Sequence, residues 1–162
     1  MLQHVIDALA GLPRELIVIL IAALPLVELR GAIPVGVALK LPLLAVFVIA
    51  ILGNLLPIPF LLLLLTPLRR VANDWPFIGP IMRWAERRAL RHRESIEKGG
   101  FWALLLFVGV PLPGTGAWTG AAIAAFLEMR FWRAFAAIFL GVCLAGVIMA
   151  ILSQLGLMVL TA

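Results

Sequence analysis

Two long stretches of this chain, Leu41–Leu68 and Ala134–Ala162, contain no charged residue. Their apolar runs are continuous rather than alternating, which suits helices and not the strands of a barrel. The run from Leu43 to Leu65 is long enough to span with some tilt, since a bilayer crossing takes about 20 apolar residues. The 162 residues are 64% hydrophobic and 13% charged, with a mean hydropathy of +1.16. A soluble domain of this size has too little interior to hide that much apolar surface, so lipid is the expected solvent.

Two further apolar stretches are broken. Leu16–Leu39 is interrupted by Glu28, Arg30, Gly31, Pro34 and Gly36; Gly99–Leu127 is uncharged but cut by Pro111, Pro113, Gly114 and Gly116. They share a pattern: a proline (Pro25, Pro111), a Gly-Ala five or six residues later (Gly31, Gly116), a further glycine (Gly36, Gly120), and then an uninterrupted apolar helix. A repeated half whose short helices break inside the bilayer is a pointer to a transport site near the midplane.

Each broken stretch can be a kinked transmembrane helix, giving four spans with both termini in the cytoplasm. Alternatively, each is a re-entrant hairpin that enters and leaves by one face. The pieces Leu16–Val27 and Ala32–Leu39 reach only about 18 and 12 Å at the helical rise, and Phe101–Val110 and Ala117–Leu127 behave likewise. The Pro-x-Pro-Gly-x-Gly run also removes more backbone donors than a kink requires. Lys98, Arg130 and Arg133 flank the second stretch and favour the cytoplasm, whereas Asp7, Arg14, Glu15 and Lys40 leave the first weakly charged. The expected architecture is an all-α integral membrane protein built as an inverted repeat. Each half is a re-entrant helical hairpin plus a transmembrane helix (13–68 and 99–162), joined by an amphipathic cytoplasmic helix in the linker 69–98. The whole of 1–162 forms one membrane domain with both termini outside.

The net charge of +5 has a local source. Arg69–Lys98 holds Arg69, Arg70, Arg83, Arg87, Arg88, Arg91, Arg93 and Lys98 against Asp74, Glu86, Glu94 and Glu97. After Pro76 and Pro80, Ile81, Met82, Ala85, Ala89, His92 and Ile96 recur at helical spacing, as in a helix lying on an anionic leaflet. Nucleic acid is an unsuitable partner, because the basic and aromatic interleaving it requires is absent. Cys143 has no disulfide partner in the chain, and His4 and His92 lack metal-ligand companions. Met1–Leu12 has no basic n-region or cleavage site and reads as a short interfacial helix rather than a signal peptide. No cofactor is expected. No nucleophile–base–orienter set or phosphate-loop pattern points to an enzyme.

The candidate binding residues lie at the two breaks. Half-helices starting near Gly31 and Gly116 would point the positive ends of their dipoles toward the break, which suits an anion. Arg30 adds a charge and a planar donor fork suited to phosphate. Pro113 and Gly114 shape the second break, Thr115 and Thr119 bring hydroxyls, and Trp118 brings an aromatic wall. Glu28 is the sharpest residue, because an ionisable side chain in an apolar segment marks function by default. It either exchanges protons as the site alternates or forms a static pair with Arg30 that props the hairpin. Arg130 and Arg133 either snorkel at the interface or guide an anionic head inward. Asn54 either hydrogen-bonds a broken segment or joins two helices, and Pro57 and Pro59 are expected to kink their span.

The strings Glu28-Leu-Arg-Gly-Ala-Ile-Pro34 and Pro111-Leu-Pro-Gly-Thr-Gly-Ala-Trp-Thr-Gly120 closely resemble the bacterial small multidrug export proteins, over essentially the whole chain. More distantly, that family is similar to DedA membrane proteins and the wider VTT-domain group. The resemblance implies two opposed re-entrant hairpins, a bacterial cytoplasmic membrane location and movement of lipids such as the polyprenyl (undecaprenyl) phosphate carrier. It implies that Glu28 is the acid of the first hairpin, that Pro111–Gly114 is the proline-glycine break, and that Arg130 and Arg133 follow the second hairpin. The second embedded acid of DedA proteins has no match, since no carboxylate occurs between Glu28 and Asp74.

The expected function is transport of an amphiphile with an anionic head, most plausibly a lipid phosphate, through a midplane site built from both hairpins. Membrane lipids are the expected partners, protons join them if Glu28 exchanges, and a homodimer would add wall against lipid. One alternative is a four-span multidrug exporter of hydrophobic cations using Glu28 as the exchange carboxylate. Another is a non-transporting membrane scaffold.

Overall fold

A computed structural model of the protein describes residues 12–25, 27–71, 99–112 and 114–161. The amino-terminal segment read as an interfacial helix (1–11), the amphipathic stretch 72–98 and Pro113 lie outside the described residues. Every described regular element is helical: α1 Arg14–Ala23, α2 Glu28–Ala38, α3 Leu43–Leu55, α4 Ile58–Val71, α5 Gly99–Gly109, α6 Ala117–Phe126 and α7 Phe131–Thr161. Two stretches, Leu43–Leu65 and Phe131–Gly156, are long and apolar enough to cross a membrane.

The chain divides into two compact units. The first comprises residues 1–54 and 146–162, and the second 55–145. Each unit thus holds one pair of short helices, the first part of the long helix that follows it, and the last part of the other long helix.

In the first unit α1 and α2 form an antiparallel hairpin. Arg14 Nη1 at the start of α1 donates a hydrogen bond of 3.2 Å to the Leu39 carbonyl, just past the end of α2. Ile21 lies near Gly31, and Val18 together with Val46 of α3 lies against Gly36. At about 1.5 Å per residue, helices of ten and eleven residues reach half the thickness of a hydrocarbon core. The break between them is at Leu24–Val27, around Pro25, and not near Gly31 as the sequence suggested. Gly31 and Pro34 both sit inside α2. Pro34 removes only its own N–H, which would have met the Arg30 carbonyl, and tertiary packing carries the helix past that loss.

The span read from Leu43 to Leu65 is helical with one interruption. Pro57 supplies no N–H, so α3 stops at Leu55 and α4 restarts as the Leu61 N–H bonds the Pro57 carbonyl at 3.0 Å. Pro59 falls in the first turn of α4, where its missing donor is harmless. The α4 helix runs to Val71, three residues beyond the expected edge of the half. Leu44, Val48, Leu52 and Leu56 form one exposed stripe at i, i+4 spacing, and Val46, Ala50, Asn54 and Ile58 form one that is fully buried. An exposed leucine stripe of this kind suits lipid rather than water.

In the second unit α4 packs against α6, and the core is Ile58, Leu104, Val108, Ile123 and Ile138 with Ala121, Ala122, Ala124 and Ala125 of α6. The boundaries of α5 and α6 fall within two residues of those expected from the sequence.

Local geometry recurs at a shift of 88 residues, as from Lys40 to Glu128. The Lys40 and Leu41 N–H groups bond the Val37 and Gly36 carbonyls (2.9 and 3.2 Å); the Glu128 and Met129 N–H groups bond the Ala125 and Ala124 carbonyls (3.2 and 2.9 Å). Lys40 (φ 61°) and Glu128 (φ 52°) take the left-handed conformation these helix ends require. The same shift relates the starts of α3 and α7, Leu43 and Phe131. It also relates the positive-φ residues that open α2 and α6, Glu28 (φ 54°) and Gly116 (φ 140°).

Candidate functional site

The first unit places its ionisable residues on the opening turn of α2. Glu28 is only 5% exposed; Arg30 and Gly31 are half-buried. The Glu28 N–H bonds the Leu24 carbonyl at 3.0 Å, tying the carboxylate-bearing residue to the end of α1 across the break. A left-handed conformation at a glutamate opposes the local preference by about 1–2 kcal/mol, and such departures cluster at functional sites. Since α2 begins at Glu28 rather than near Gly31, the positive end of its dipole already has a carboxylate in the first turn. In this unit the group suited to an anion is therefore the Arg30 guanidinium and not the bare helix end.

The second unit builds its break differently. The Thr115 hydroxyl lies 2.9 Å from both the Val110 and the Leu112 carbonyls, so it closes the chain after α5. The Leu112 N–H bonds the Val110 carbonyl (2.8 Å) and the Thr115 N–H bonds the Leu112 carbonyl (3.2 Å). Gly114 (φ 82°) is exposed, and Gly116, whose φ of 140° favours glycine, is buried as the N-cap of α6. Trp118 and Thr119 follow on the first turn of α6, both half-buried. That turn carries no acid, in contrast to α2.

Arg130 and Arg133 come together at the other end of this unit. With Phe101, Trp102, Leu127 and Met129 they line an open cavity of about 510 Å³. Both arginines and Trp102 are exposed, and Phe101 meets Trp102 edge to face at 5.3 Å. Phe131 meets Trp132 edge to face at 5.1 Å and stacks on Phe135 at 5.9 Å. A lining that combines guanidinium groups with aromatic and aliphatic surface suits an amphiphile with a negative head. Sequence reasoning missed Phe101 and Trp102. The signal was present in the Phe-Trp pairs, one just after Lys98 and one between Arg130 and Arg133, since aromatic residues beside basic ones mark a membrane interface.

Asn54, on the buried stripe of α3, is 0% exposed. Its Oδ1 and Nδ2 have no hydrogen-bond partner among the described residues, so neither a bond to a broken segment nor one joining two helices is made there. Those residues also hold no group of three or more His, Cys, Asp or Glu placed to bind a metal.

A protein-family model described as small multi-drug export protein matches residues 28–148, from the opening of α2 into α7. No curated protein and no solved structure matches the chain.

Proposed function

The chain belongs to the small multi-drug export protein family, and on that premise we propose that it is a membrane transporter, not an enzyme, for amphiphiles with an anionic head. The lipid phosphates, such as undecaprenyl phosphate, are the substrate class. The observation that carries this reading is the cavity formed by Arg130, Arg133, Phe101 and Trp102. Its guanidinium groups match a phosphate head and its apolar wall matches the first carbons of a tail. In the other unit Arg30, half-buried on α2, carries the same donor fork.

The short lengths of α1, α2, α5 and α6 support re-entrant hairpins, and the recurrence at 88 residues supports a repeat. The different charges flanking the two broken stretches support opposite orientations for the halves, hence an inverted repeat. The same charge rule supports a cytoplasmic linker 69–98, and the resemblance supports a bacterial inner membrane. The resemblance to DedA proteins agrees with this substrate class. A greasy tail stays in the bilayer while the head crosses.

A second reading, export of hydrophobic cations with Glu28 as the exchanging carboxylate, is favoured by the burial of Glu28 and by the family's name. Arg30, two residues away, opposes it. The deciding experiment reconstitutes wild type, Arg30→Ala and the Arg130→Ala/Arg133→Ala double variant into liposomes with a labelled polyprenyl phosphate. Wild type should speed crossing, and both variants should slow it about tenfold or more, roughly one charge-assisted hydrogen bond. Equal rates in all three, or no crossing with wild type, would overturn the proposal.

A further inference from the structure

We infer that the Asn54 carboxamide is a cargo contact in the first unit, binding the polar head of the amphiphile at the depth of the Glu28–Gly31 turn. The inference deepens the transport reading and rests on it. Asn54 is 0% exposed, and neither polar atom of its side chain meets a partner among the described residues. Buried amides are paired in nearly all native structures, so an orphaned one calls for a partner from elsewhere.

The repeat supplies an internal control. Gly53 and Gly141 correspond at the 88-residue shift, so the counterpart of Asn54 is Val142, which is also 0% exposed. The equivalent helix thus packs with a purely apolar side chain of similar size, and packing alone does not demand an amide. The same comparison pairs Glu28 with Gly116 and Arg30 with Trp118. Glu28, Arg30 and Asn54 are therefore three places where the first unit carries a charge or an amide and its counterpart does not.

Depth links them. The Ile19–Ala22 turn of α1 touches Gly53, next to Asn54, while Ile21 of that turn lies near Gly31 of α2. Asn54 and the Glu28–Gly31 turn thus lie at one level along α1. A carboxamide donates through Nδ2 and accepts through Oδ1. It can give a hydrogen bond to a phosphate oxygen and take one from a hydroxyl of the same head, without adding charge to the site.

The test compares Asn54→Val, the residue of the counterpart, with Asn54→Thr, which has nearly the same shape with a hydroxyl in place of one methyl. Each is measured for thermal stability and for affinity toward a labelled polyprenyl phosphate and toward ethidium, a cation with hydrogen-bonding amines. The valine variant should unfold at or above the wild-type temperature and lose at least tenfold in affinity for the phosphate, with threonine between the two. Wild-type affinity in the valine variant overturns the inference, as does a loss of affinity matched by a fall in stability. If wild type binds only ethidium, the anionic reading fails by itself. The role of Asn54 then stands if the valine variant loses ethidium affinity, and falls if it does not. Binding of neither probe by wild type overturns both.

Discussion

Gly53 and Gly141 do the same work in their two units: each brings its bare Cα against a backbone carbonyl of the first short helix. A Cβ at Gly53 would sit 2.8 Å from the Ile19 oxygen, and one at Gly141 would sit 2.7 Å from the Leu105 oxygen. Backbone oxygens cannot rotate away, so these two glycines set how closely a hairpin packs on the long helix that follows it.

Gly53→Ala and Gly141→Ala should therefore each destabilise the protein by about 1–3 kcal/mol, the usual range for overpacking. Thermal unfolding of the purified variants in detergent checks this. Similar losses at both positions support equivalent roles, whereas a neutral result at either would set the two positions apart.

Lys40 and Glu128 hold the left-handed conformation that ends α2 and α6, and neither is glycine. Lys40→Gly and Glu128→Gly relieve the steric penalty but add backbone freedom to the unfolded chain, for a net gain of up to about 1 kcal/mol. Lys40→Val, with a β-branched side chain in that conformation, should lower stability instead. The same unfolding measurement reads all three.

The recurrence at 88 residues was only partly legible in the sequence. Proline and glycine punctuation located both broken stretches, and the uncharged runs located both long helices, because these signals are local. The sequence puts the first break at Glu28–Gly31, whereas the helix already starts at Glu28 and runs through Gly31 and Pro34, since proline in an otherwise well-packed helix loses one bond without ending it. The positive φ of Glu28 and the orphaned amide of Asn54 depend on tertiary packing, which no residue pattern records. The cavity was invisible for a similar reason. It needs residues 100–102 and 127–133 to meet, and the intervening chain gives no hint that they do.

Glu28 separates a coupled transporter from a propped hairpin. If it exchanges protons, transport by wild type changes with pH and Glu28→Gln transports at a rate that no longer follows pH. Flux into liposomes at a series of internal and external pH values is the measurement. Unaltered transport and an unaltered pH response in Glu28→Gln would leave Glu28 as a static partner of Arg30.

The most direct test of the account concerns the first hairpin, which is held to enter and leave by one membrane face. Pro13→Cys and Lys40→Cys, each in a Cys143→Ala background, can be labelled with a membrane-impermeant maleimide in sealed, oriented vesicles. The Arg14–Leu39 hydrogen bond holds the two ends of this hairpin together. The account therefore predicts that both cysteines react from the same face. Reaction of the two from opposite faces would make Leu16–Leu39 a crossing helix and contradict it.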